Sequence, residues 1–120
     1  MAYIDGFVIP VPQGKKDSYR QMAADISTVF LEHGAERIVE CWGDDVPHGK
    51  LTDFYRAVDA KDDDGVVFAW IVWPSKQVRD EGLAKGRDDP RIRPMPDMPM
   101  GLDRMIFGGF EILFDIGNRA

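Results

Sequence analysis

The side chains best suited to chemistry gather in one stretch, ECWGDDVPHGKLTD, which holds Glu40, Cys41, Asp44, Asp45, His48 and Asp53. Carboxylates and an imidazole this close together could ligate a divalent cation, or supply an acid and a base within a cleft. Their spacing matches neither a calcium-binding EF-hand loop nor a zinc signature. The density of Gly, Asp and Pro after residue 42 reads instead as a solvated loop, in which Asp and Gly serve turn geometry. No metal is therefore expected. Glu40 stands apart, because it alternates with Ile38 and Trp42 along one side of an expected strand. A carboxylate turned toward apolar neighbours is held away from water, gains proton affinity, and is suited to proton transfer. Glu40 is the candidate catalytic residue; a salt bridge to an arginine at a subunit seam is the competing use for it.

The neighbouring groups are less distinctive. Cys41 reads as a small inert hydrophobe, since a nucleophilic thiol needs a base and only His33 and His48 exist. Trp42, Trp70 and Phe110 are the candidate walls of a ligand pocket, although strand aromatics more often fill a core or an interface. Gly6, Gly108 and Gly109 lie inside strands, where glycine marks a bulge, a close backbone approach or room for a ligand. Met95, Met98 and Met100 belong to a proline-rich segment that could cover a pocket or wrap a second subunit.

The elements that must position these groups follow from changes in period. YIDGFVIPV, from Tyr3 to Val11, reads as a strand closed by Pro12 and Gly14. Between Lys15 and His33 the apolar residues Tyr19, Met22, Ala23, Ile26, Val29 and Phe30 recur at three and four, predicting an amphipathic helix that ends at Gly34. Ala35 to Trp42 alternates as a second strand. Residues 43–53 form a long connection, and Phe54 to Ala60 is expected as a short strand or extended arm. VVFAWIVW, from Val66 to Trp73, is an unbroken apolar run suited to a central strand covered on both faces. Ser75 is placed to cap a short helix that Gly82 and Gly86 weaken and Pro90 ends. Residues 88–103 read as a loop, Met105 to Phe114 as the last strand, and residues 1–2 and 115–120 as tails.

A chain of 120 residues suits one domain and can bury a core without disulfides. The formal charge of −6, from 15 basic and 21 acidic residues, repels phosphate backbones, so no nucleic-acid partner is expected. A single cysteine and an N-terminus without a basic, apolar leader point to the cytoplasm. No apolar run approaches the ~20 residues needed to cross a membrane, so no membrane partner is expected.

The order β, α, β, β, α, β predicts an α+β fold of the ferredoxin-like kind, a four-stranded antiparallel sheet with both helices on one face. The aromatic strands would then leave the other face wet unless a second copy covers it, so a homodimer is expected.

YIDGFVIPVP, VECWGDDVP with HGK after it, VVFAWIVWPSK and RMIFGGFE together resemble the bacterial YbaA-like family, a domain-of-unknown-function family in the dimeric α/β-barrel group. The resemblance runs from Tyr3 to Glu111. It implies a ferredoxin-like subunit and a two-fold dimer with facing sheets, and it implies no activity; no cofactor is expected. Two functions stay open. One is a small enzyme or binding protein that holds a small-molecule ligand between sheet and helices beside Glu40; the other is a noncatalytic dimeric module whose aromatics only fill the barrel.

Overall fold

A computed structural model describes residues 2–92 and 98–118. Along the chain run β1 (Tyr3–Pro12), α1 (Lys16–Glu32), β2 (Arg37–Trp42), α2 (Phe54–Ala57), β3 (Asp64–Trp73), α3 (Lys76–Asp88) and β4 (Ile106–Glu111). Single 3-10 turns occupy Gln13–Lys15 and Leu102–Arg104. The four strands form one sheet in the order β2-β3-β1-β4, every neighbouring pair antiparallel. This is the expected ferredoxin-like topology, with the one-turn helix α2 added in the long connection. Among the described residues no helix is long and apolar enough to cross a membrane.

Strand alternation sorts the sheet into two faces. Tyr3, Phe7, Ile9 and Val11 of β1 share one face with Val67, Ala69, Ile71 and Trp73 of β3, because the register sets Tyr3 opposite Trp73 and Ile9 opposite Val67. On β2 the same face carries Ile38, Glu40 and Trp42, opposite Ile71, Ala69 and Val67. Helix α1 packs Tyr19 and Ala23 here, and α3 brings Val78 and Leu83 against Trp73. Trp73 and Val11 are wholly buried, each such side chain contributing about 1.5–3 kcal/mol. Gly34 ends the α1 turn at φ +114°, a left-handed conformation that glycine adopts without penalty.

Helix α3 starts where Ser75 accepts a hydrogen bond from the Val78 amide at 3.1 Å. Gly82 and Gly86 cost helix propensity but are both buried, because α3 runs close to its neighbours. A β-carbon at Gly82 would collide with the Trp73 ring, and one at Gly86 with the Phe30 ring. Close packing recovers what these glycines lose locally.

The opposite face carries Ile4 and Val8 of β1, Val39 of β2, Phe68, Trp70 and Val72 of β3, and Ile106 and Phe110 of β4. The loop through α2 covers one end of it: Phe54 meets Phe68 edge-on at 6.1 Å between ring centres, and Val58 is buried. The remainder is open within one chain, with Phe68 49% and Phe110 59% exposed.

Two elements depart from expectation. Phe54 to Ala57 is a helix instead of a strand or arm, because Asp53 caps it by accepting a hydrogen bond from the Arg56 amide at 2.8 Å. The last strand stops at Glu111, since β1, its ladder partner, begins at Tyr3 and offers nothing further to pair with. Leu113, expected inside that strand, is 92% exposed. Met95 and its flanking prolines Pro94 and Pro96 lie outside the described residues.

Candidate functional site

Glu40 sits on the edge strand β2 with its side chain on the helix side, directly opposite Ala69. Tyr19, in the first turn of α1, donates its hydroxyl to Glu40 Oε1 at 2.6 Å. Small residues surround this pair. Ala23 and Ser27 follow Tyr19 at intervals of four on α1, and Ala69 lies below, so the helix and sheet do not close on each other.

Two cavities result, and the Tyr19–Glu40 pair lines both. The outer cleft, about 330 Å³, lies between α1 and β2 and is bounded by Lys16, Ile38, Trp42 and Val67 as well as the pair itself. The inner cavity, about 150 Å³, is walled by Phe7, Ile26, Phe30, Met100 and Met105. Met100 thus lies on a pocket wall, and the Gly101 amide ties its segment to the Pro10 carbonyl at 3.0 Å.

The enclosure changes the chemistry of both partners. Glu40 keeps part of its surface open to water at the rim, yet the surrounding protein strips enough solvent to push its carboxyl above the ordinary value; the Tyr19 hydroxyl, which favours the charged form, offsets this only in part. Burial, helped by the hydrogen bond to Glu40 and its charge, drives the Tyr19 phenol far above its normal range, so Tyr19 remains a hydrogen-bond donor. The arrangement is a proton-accepting carboxylate oriented by a phenol that does not ionise.

Trp42 forms the outer wall. Its ring lies so close to the Gly65 backbone that a β-carbon there would meet the indole at 2.6 Å. The Lys16 ammonium sits 5.2 Å from the centre of the Trp42 ring, within cation–π range.

Of the residues singled out from sequence, Glu40 and Trp42 come together in this cleft. Trp70 and Phe110 do not join them: Trp70 contacts the Phe68 ring at 5.6 Å on the open face, although it also borders the inner cavity, and Phe110 lies on the open face above the paired Gly6 and Gly108. Gly109 makes room for the Tyr3 hydroxyl and the Arg79 guanidinium. Cys41 is an exposed free thiol. His48 stacks on Tyr55 at 4.5 Å and approaches Asp53 at 3.7 Å, while Asp53 serves as the α2 cap. Asp44 and Asp45 are exposed, and among the described residues no three His, Cys, Asp or Glu converge as metal ligands.

Sequence reasoning missed Tyr19 and Lys16 as parts of the cleft. The available signal was a polar-tipped Tyr within the apolar stripe of α1, four residues before Ala23. It also missed a second inward carboxylate, Asp5, which accepts from the Trp73 indole at 2.9 Å and from Arg79 at 2.8 Å. An acid alternating with Tyr3 and Phe7 was the clue.

The family model described as "Protein of unknown function (DUF1428)" matches residues 2–103. The uncharacterised protein YbaA of Escherichia coli K12 is 53% identical over 116 residues, covering 96% of this chain and 99% of that protein. The uncharacterised protein YbaA of Shigella flexneri matches with the same identity and coverage.

Proposed function

This chain belongs to the DUF1428 family of proteins of unknown function, and we propose that it binds a small molecule in the cleft between α1 and β2, with Glu40 as the proton acceptor that faces it. The observation that supports this reading is the Tyr19–Glu40 hydrogen bond in the lining of two cavities. A single-chain interior is normally filled, with few voids larger than a water. A cleft at the small end of the usual 300–1,000 Å³ range, apolar in its walls with a few convergent polar groups, has the composition of a ligand site.

The test is a thermal-shift screen of small metabolites against the wild-type chain and Glu40→Gln. A compound that stabilises the wild type and not the variant, each shift measured from that protein's own unliganded melting temperature, supports the reading. Equal stabilisation of both by every binder removes Glu40 from the site.

A second reading is a noncatalytic dimeric module, favoured by the open apolar face that carries Phe68, Trp70, Ile106 and Phe110. A homodimer joined through this face is part of both readings, since water against so many large side chains is unfavourable. Sedimentation equilibrium of Phe110→Glu against wild type tests it: the variant is expected as a monomer. We assign the chain as one domain of the cytoplasm, where its lone thiol stays reduced.

A further inference from the structure

The outer cleft has a polarity that the small-molecule reading does not specify. Its rim carries two cations, Lys16 and Arg20, in a chain of net charge −6. Arg20 is already paired with Asp17 at 2.6 Å. Lys16 is different: it lies over the Trp42 ring, and among the described residues no carboxylate pairs with it. Among the described residues the one carboxylate lining the cleft is Glu40, bonded to Tyr19, and the adjoining cavity is walled by Phe7, Ile26, Phe30 and three methionines.

On this basis, and resting on the small-molecule reading above, we infer that the ligand is a small organic monoanion, a carboxylate on a single ring or short chain. Its charged end meets the Lys16 ammonium at the rim and its apolar body lies toward Tyr19 and Glu40. Three features narrow the class. A cationic amine would meet Lys16 and find the Trp42 face already covered by a cation. A dianion would bring its second charge to the Glu40 carboxylate, which like-charge repulsion disfavours. A large ligand is excluded by volume, because the cleft and the adjoining cavity hold about 330 and 150 Å³.

The experiment uses three probes of one shape: benzoate, benzamide and benzylamine, titrated calorimetrically into wild type and Lys16→Met at low salt. Amide and indole NMR shifts at Trp42 report whether binding occurs in this cleft. Benzoate is expected to bind roughly fivefold tighter than benzamide, the size of one rim charge pair. Lys16→Met should erase that difference by weakening benzoate binding. Lys16 is an exposed residue at the start of α1, so an unaltered melting temperature verifies the variant's fold. Benzamide binding as well as benzoate, or benzylamine binding best, overturns the anion inference and leaves the cleft as a ligand site. Absence of any Trp42 shift with all three probes overturns both.

Discussion

Two inward carboxylates on the helix-covered face of the sheet, Asp5 on β1 and Glu40 on β2, have opposite surroundings. Asp5 is 3% exposed and lies on a central strand, where the Trp73 indole and the Arg79 guanidinium saturate its oxygens, and Gly109 leaves the room that Arg79 needs. Glu40 lies on an edge strand with one phenol as its partner, small residues around it and two cavities beside it. A buried charge fully compensated in a closed core is held for structure. A partly desolvated charge with spare hydrogen-bonding capacity beside empty space is available to a ligand.

The comparison breaks most easily at Asp5. Arg79→Met leaves a buried carboxylate short of its cation and is expected to lower unfolding free energy by about 3 kcal/mol in urea titrations; a loss under about 1 kcal/mol would mean that the Trp73 indole alone suffices. Next in size is Gly86→Ala on the closed side of the fold. Alanine gains about 1 kcal/mol of helix propensity, but its β-carbon meets the Phe30 ring, and overpacking costs about 1–3 kcal/mol, so a net loss is expected in thermal unfolding.

Charge chemistry sharpens the contrast through pH. The Glu40 carboxyl is raised in the folded chain, so its contribution to stability is fully present below the unfolded carboxylate value and is lost as pH rises through the folded one. Glu40→Gln should therefore gain in melting temperature relative to wild type between pH 4 and pH 8. Asp64 behaves in the opposite sense. Burial alone would raise its carboxyl, but the Lys61 amide and the Arg104 guanidinium outweigh burial and hold it below the ordinary value. Its contribution is present above the unfolded carboxylate value and disappears as pH falls, so Asp64→Asn should cost stability at pH 7 and little at pH 2. Equal pH slopes for the two variants would erase the distinction. The smallest effect is expected at His48→Ala, within about 0.5 kcal/mol of wild type and with cleft binding intact, because His48 is an exposed group on the α2 loop.

Much of this organisation was legible locally. The three-and-four period from Tyr19 to Phe30 locates α1, Ser75 marks the start of α3, and the alternation of Ile38, Glu40 and Trp42 sets those three on one face of β2. Phe54 to Ala57 was not legible as a helix, since four residues are too few to establish a period and one cap from Asp53 holds a single turn. The last strand was read too long because Ile112 to Phe114 has strand composition but no partner strand beside it. Trp70 and Phe110 share aromatic character with Trp42, and only register separates their face from its own.

By itself the sequence determined the element order, the inward direction of Glu40 and Trp42, and the excess of apolar surface over what two helices can cover, because each depends on residue type and period along one segment. The tertiary structure decided that Tyr19 meets Glu40 across 21 positions, that Ala23, Ser27 and Ala69 leave space around them, and that Asp5 is closed off by Arg79. Those outcomes depend on the distance between packed elements and on which side chains share one volume, and no segment carries that information alone.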